Sequence, residues 1–108
     1  MTETDFDAII TVNLKGVWLA IRHALPHLRN AEHASVINLS GGSTSSNTLV
    51  LAKELRSDGI RLNEIALGQV DATVQADQVA QAALYLCSSQ AALVTGSVLL
   101  LDAGLRNR

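Results

Sequence analysis

The stretch "SVINLSGGSTSSNTLVLAKELRSDGIRLNEIALG", Ser35–Gly68, decides the fold. SVINLS is a β-branched run bounded by turn residues, which predicts a strand over 35–40. A Gly/Ser loop, Gly41–Asn47, follows it. Asn47 or Thr48 can cap a helix running to Ser57, and Gly59 is a natural stop for that helix. IRLNEIAL, 60–67, predicts a second strand, and Gly68–Gln75 a loop.

The same reading extends in both directions. Towards the N-terminus, Thr4 followed by Asp7 resembles a capping box. From Asp5 to about Leu28, apolar residues recur at three- and four-residue steps (Phe6, Ile9, Ile10, Leu14, Val17, Trp18, Ile21), which predicts one long helix with a wide apolar face. Pro26 falls in its last turn and removes one backbone bond. Towards the C-terminus, Ala76–Ser88 predicts a third helix and 96–104 a third strand closed by Gly104. Strands alternating with helices predict an α/β protein with a parallel sheet of about three strands and flanking helices, a three-layer arrangement in one domain over residues 1–108. SVLLL is apolar without alternation, the pattern of a strand covered on both faces.

Composition narrows the functions. The 108 residues are 48% hydrophobic with only three aromatics, Phe6, Trp18 and Tyr85, so the core must be aliphatic. A net charge of −2 without a basic block argues against nucleic acid as a partner. No uncharged apolar run reaches the ~18 residues of a membrane span, which predicts no membrane segment. Cys87 stands alone, so no intrachain disulfide can form, and a cytoplasmic setting is expected. His23 and His27 lie four apart on the first helix and could face one zinc ion. No Cys or carboxylate near them in sequence completes a site, so a solvated helix end is the simpler reading and no metal is expected.

The motifs together resemble the short-chain dehydrogenase/reductase family. DFDAIITVNLKGVWLAIRHALPHLR is similar to that family's fourth helix, and SVINLSG to its Ser-Ile-Val-Asn-Ile-Ser-Ser strand. LAKELRSDGIRLNEIALG resembles the end of its active-site helix and the following strand, and DQVAQAALYLCSSQAALVTGSVLLLDAG its last helix and strand. The resemblance implies the C-terminal half of a Rossmann-like protein, truncated and internally deleted. It implies descent from an NAD(P)-dependent oxidoreductase, with NAD or NADP as the ancestral cofactor.

The resemblance also marks what is missing. The family's Gly-x-x-x-Gly-x-Gly turn, which brings backbone amides to the cofactor pyrophosphate, has no match in this chain. Between GGSTSSN and TLVLAKEL the family carries Tyr-x-x-x-Lys, its proton-transfer pair. Here that segment is skipped, and Tyr85 is followed four residues on by Ser89. A second jump follows GQVDATV, where the family has a longer substrate-covering segment.

Four residues match family site positions and two more, Ser43 and Thr73, lie beside one. Asn13 matches a helix Asn that positions a water and the Lys; without that Lys a packing or helix-kink residue is the simpler reading. Ser40 matches the first of a serine pair whose second member falls on Gly41. Ser43 could reach the same place or serve as a turn serine. Gly68 and Val70 match a backbone segment that contacts the nicotinamide, and Thr73 lies one position past the family's Thr. The expected isolated chain neither binds the cofactor nor turns over. Alternatives are a non-catalytic interaction module, or a partial view of an intact NAD(P)-dependent oxidoreductase. A homo-oligomer is expected: the edge of SVINLS is unpaired, and the resemblance implies that the long N-terminal helix and the active-site helix bury their outer faces against a second subunit, faces that stay apolar here in Val17, Trp18, Ile21, Leu49 and Leu51.

Overall fold

The structure is a computed structural model that describes residues 2–5, 15–41, 47–68 and 72–103, with the side chains of 47 and 72–75 outside the description. It divides into two units, Met1–Ala31 and Glu32–Arg108.

In the first unit, residues 3–5 are helical. The Thr2 N–H donates to Asp5 Oδ2 at 3.2 Å, and the Asp5 N–H donates to Thr2 Oγ1 at 3.1 Å. This reciprocal pair is a capping box with Asp in the Glu position. Asp7 of the Thr4–Asp7 box expected from the sequence lies outside the described residues. Helix α1 covers Gly16–Arg29 and contains Pro26. The Arg22 guanidinium lies 5.2 Å from the Trp18 ring centroid, one helical turn away, and Trp18 is 44% exposed. Phe6, Ile9, Ile10 and Leu14 of the expected apolar face lie outside the described residues.

The second unit is a parallel α/β layer structure. Strands β1 (Ser35–Ser40), β2 (Arg61–Leu67) and β3 (Val98–Leu101) form one sheet in the order β1-β2-β3. The register pairs Ser35 with Arg61 and Glu64 with Val98. Helix α2 (Asn47–Arg56) connects β1 to β2, and α3 (Ala72–Cys87) leads towards β3 through a 3-10 turn at Ser89–Ala91. α2 lies over the face carrying Leu62, Glu64 and Ala66, since its Thr48 bonds Glu64. α3 lies on the opposite face, where Ser35 Oγ donates to the Leu86 carbonyl at 3.5 Å. The three expected layers are therefore present.

Burial concentrates on the middle strand. Leu62–Ala66 of β2 are all buried, with Ile60, Leu55, Ala52 and Leu86 around them. Continuous burial is what a central parallel strand requires. β3 does not share it: Val98 and Leu99 are 38% and 36% exposed. The expectation that SVLLL is covered on both faces is thus corrected. β3 lies at a sheet edge, and the strand roofed on both sides is β2. Two further bounds move. The third helix starts at Ala72, inside the expected loop 68–75, and the third strand shortens to four residues.

The stop of α2 is a Schellman motif. The Ile60 N–H reaches back to the Leu55 carbonyl at 3.3 Å, and the Gly59 N–H to Arg56 at 3.0 Å. Gly59 takes φ +73°, the left-handed region, and nothing lies within 4 Å of a Cβ built there. The penalty of a side chain is therefore conformational. We expect Gly59→Ala to lower stability by about 1–2 kcal/mol, seen as a lower urea midpoint with an unchanged slope, and Gly59→Asn to lose less.

Candidate active-site edge

In a parallel sheet the carboxyl ends of the strands open onto one rim, where ligands of doubly wound folds bind. Two of the six sequence-derived site residues are described there with their surroundings. Ser40 ends β1, half-buried, two residues along the strand from Asn38, which pairs with Glu64. Its hydroxyl donates to Glu64 Oε2 at 2.7 Å. Glu64 Oε1 accepts the Thr48 hydroxyl of α2. Glu64 is 3% exposed and Thr48 3% exposed, so a buried carboxylate ties β1, β2 and the first turn of α2 together. The Ser40 hydroxyl is thus committed to a neighbouring side chain.

Gly68 follows β2 on the same rim. Its N–H donates to the Leu101 carbonyl at 2.9 Å. A Cβ at Gly68 would fall 2.3 Å from Asp102 Cβ and 3.0 Å from Asp102 Cα. Glycine is needed here because the chain after β2 runs against the turn after β3, and Asp102 is itself 4% exposed. We expect Gly68→Ala to cost about 1–3 kcal/mol, the range for overpacking a closed site. A thermal midpoint within 1 °C of the parent would contradict this.

Thr73 belongs to the first turn of α3. Asn13, Ser43 and Val70 lie outside the described residues. At Gly41, where the family places its second serine, nothing lies within 4 Å of a built Cβ. Among the described residues no group of three or more His, Cys, Asp or Glu could hold a metal ion. None of the described helices is long and apolar enough to cross a membrane.

Sequence reasoning missed Glu64 and the role of Asn63. Asn63 is fully buried on β2. Its Nδ2 donates to the Val94 carbonyl at 3.1 Å, and its Oδ1 accepts the Ser97 N–H at 3.1 Å and the Ser97 hydroxyl at 2.7 Å. One amide thereby fastens the segment before β3 to the middle strand. The signal for both residues was visible in IRLNEIAL: two polar residues inside an apolar strand must have partners, because an unpaired buried polar group is costly.

No family profile matches the chain. The chain is similar to curated proteins that include reductases and dehydrogenases. The 3-oxoacyl-(acyl-carrier-protein) reductase of Thermotoga maritima is 28% identical, with 97% of this chain and 58% of the relative covered. Among solved structures, a hydroxysteroid dehydrogenase from Escherichia coli superposes with a TM-score of 0.83 at 23% identity, covering 96% of this chain and 56% of that one. The enoyl-(acyl-carrier-protein) reductase (NADH) of Aquifex aeolicus gives a TM-score of 0.85 at 22% identity, covering 100% and 54%. These likenesses establish a Rossmann-type α/β fold. The chain's homologues are members of the short-chain dehydrogenase/reductase family, and the resemblance drawn from the motifs holds over nearly all of its length.

The chain spans about 58% of the length of the curated relatives it matches first. The match to the Thermotoga maritima protein runs over 144 residues, longer than the 108 of this chain. Within the matched span, the relative therefore carries residues with no counterpart here.

Proposed function

We propose that this chain is a short-chain dehydrogenase/reductase derivative that has lost turnover and acts as a self-associating module in one Rossmann-like domain. One observation carries the reading. The sole tyrosine, Tyr85, has Ser89 four residues on, so the chain contains no Tyr-x-x-x-Lys. The matched relative's span, longer than this whole chain, supports an internal deletion, and the jump from GGSTSSN to TLVLAKEL is where the motifs put it. A missing general acid alone costs typically ~10²–10⁴ in rate. The phosphate-binding glycine turn is absent from these residues as well.

The residues matching family site positions keep structural parts of their former roles. Ser40 holds Glu64, and Gly68 permits the close approach to Asp102. Asn13, Ser43, Val70 and Thr73 complete the retained positions. NAD or NADP is the ancestral cofactor, not bound by this chain alone. Self-association would use the α1 helix and the β1 edge, where Trp18 and Leu39 are 44% and 60% exposed. Cys87, the lone cysteine, suits a cytoplasmic setting. Calorimetric titration with NADH and NADPH tests the cofactor claim. No heat of binding is expected up to millimolar nucleotide, and one-to-one binding would overturn it.

The coverage of the relatives favours a second reading, in which these 108 residues are part of a longer NAD(P)-dependent oxidoreductase. Intact mass of the protein from its native source separates the two: about 11.4 kDa for the first, more than twice that for the second.

A further inference from the structure

The histidines of α1 take no part in the rim described above. α1 runs unbroken from Gly16 to Arg29, through Pro26. The backbone bond removed at Pro26 therefore does not interrupt the turn that separates His23 from His27. Both histidines are exposed, and neither imidazole is hydrogen-bonded or ion-paired to a described residue. A helix turns ~100° per residue. On that wheel the half-buried residues Val17, Ile21, Ala24, Leu25 and Leu28 form one stripe, and the histidine pair lies ~120° around the helix from it. Trp18 is farther still from the pair, and the Arg22 guanidinium is held 5.2 Å from the Trp18 ring centroid. A contact made through the apolar stripe or through Trp18 therefore leaves the pair open.

We propose that His23 and His27 chelate one late first-row divalent metal ion, Cu(II) in preference to Ni(II) or Zn(II). Residues four apart on a helix have Cβ atoms ~5–6 Å apart. Helix side chains lean towards the N-terminus, over the preceding turn, which carries the His27 ring towards His23. Two imidazole nitrogens can then take adjacent positions around one ion, each at ~2 Å. The place on the helix suits a cation as well. His27 lies in the last turn of α1, where the free carbonyl groups carry partial negative charge. No third protein ligand is required, because Cu(II) and Ni(II) take tetragonal N,O sets and water fills the remaining positions. A structural zinc site asks for four protein ligands, and among the described residues no group of three or more candidate ligands occurs. The sequence reading weighed the pair against a closed zinc site. An open two-point chelate asks less of the protein, and its ion order follows the general preference of nitrogen and oxygen donors, with Cu(II) first.

Calorimetric titration with CuCl2, NiCl2 and ZnCl2 tests the site, in a Cys87→Ser background that removes the exposed thiol. One Cu(II) per chain is expected, bound about tenfold or more tightly than the other two ions. His23→Ala and His27→Ala should each weaken Cu(II) about tenfold or more, because the second imidazole of a chelate acts at a high effective concentration. His27→Ala with Asn30→His restores the histidine count but sets the α1 pair seven residues and ~10 Å apart along the axis. It should bind no better than His27→Ala. His33→Ala, in the other unit, should bind like the parent. The electron paramagnetic resonance spectrum of the Cu(II) form should show coupling to two imidazole nitrogens, and to one in each single α1 variant. Affinity unchanged in both single α1 variants, or recovered with Asn30→His, overturns the chelate. A loss at His33→Ala equal to that at His27→Ala overturns the assignment to α1. Half an ion per chain overturns binding by a single helix. The absence of any Cu(II) uptake up to millimolar ion overturns the site.

Discussion

Asn63→Ala is expected to lower the unfolding free energy by about 3 kcal/mol. The side chain is fully buried and makes three hydrogen bonds, to the Val94 carbonyl and to the N–H and hydroxyl of Ser97. Truncation removes all three and leaves the part-buried Ser97 N–H and hydroxyl without their acceptor, while the Val94 carbonyl keeps the Arg61 guanidinium; each buried donor or acceptor left unsatisfied costs ~1–3 kcal/mol. The bonds lost with the side chain alone contribute less. A domain of this class has only ~5–15 kcal/mol in total, so the variant is expected to unfold at a much lower urea concentration. The loss has a local signature. The Glu64 N–H donates to the Ser97 carbonyl at 2.9 Å, next to the atoms that Asn63 holds. Its hydrogen exchange should accelerate more than that of Asp58, whose N–H closes the far end of α2 on Leu55. A stability loss under 1 kcal/mol with unchanged exchange at Glu64 would show that Asn63 does not fasten the segment before β3.

Glu64→Ala is expected to cost about as much, for a different reason. Glu64 gives one carboxylate oxygen to Ser40 and the other to Thr48, in a site where both it and Thr48 are 3% exposed. Alanine leaves a hole and two hydroxyls without an acceptor, and the transfer, cavity and desolvation costs add to about 3 kcal/mol. The conservative change separates these contributions. Glu64→Gln keeps the volume and one acceptor oxygen, and its amide can donate to the other hydroxyl, so about 1 kcal/mol is expected. Replacing Glu64 and Thr48 by apolar isosteres, Glu64→Leu with Thr48→Val, should cost less than the sum of the single changes, because the buried Thr48 hydroxyl is then no longer left unpaired and only the half-buried Ser40 hydroxyl loses its acceptor. Additive losses in that double-mutant cycle would mean the carboxylate and the hydroxyl are not coupled.

Much of the fold was legible because its signals are local. β1 matches SVINLS over 35–40, since a β-branched run lies between a polar connector and a glycine pair. The stop at Gly59 was legible because left-handed backbone needs a residue without a Cβ. The misses also have local causes. Thr2–Asp5 and Thr4–Asp7 share one spacing, so the pattern cannot choose between them; the hydrogen bonds form the first, and Asp7 of the second lies outside the described residues. The start of α3 at Ala72 was hidden because Ala-Thr-Val-Gln carries no glycine or proline to separate loop from helix. The covered strand was misplaced because an apolar run shows only that a strand is apolar, and neighbours decide whether it is roofed. β2, with polar residues at 63 and 64, is the buried one.

The rim was legible only in part. Ser40 and Gly68 were found by motif position, and both fall on the carboxyl edge. The residue that engages Ser40 was not found, because Glu64 lies 24 residues away and meets it only through strand pairing. The same holds for Thr48, which reads in sequence as a helix cap and in the fold is a donor to Glu64. Local patterns identify which residues are unusual. Sheet register decides which of them meet.

The central claim is that this chain retains the frame of a hydride-transfer protein without its proton-transfer pair. Its most direct test is the absorbance of NADPH and NADH at the nicotinamide band, followed with the purified 108-residue chain and a panel of ketones, 3-oxoacyl thioesters and hydroxysteroids. The rate should not differ from that of buffer at any protein concentration. Steady oxidation or reduction of the nicotinamide in proportion to added protein would contradict the account.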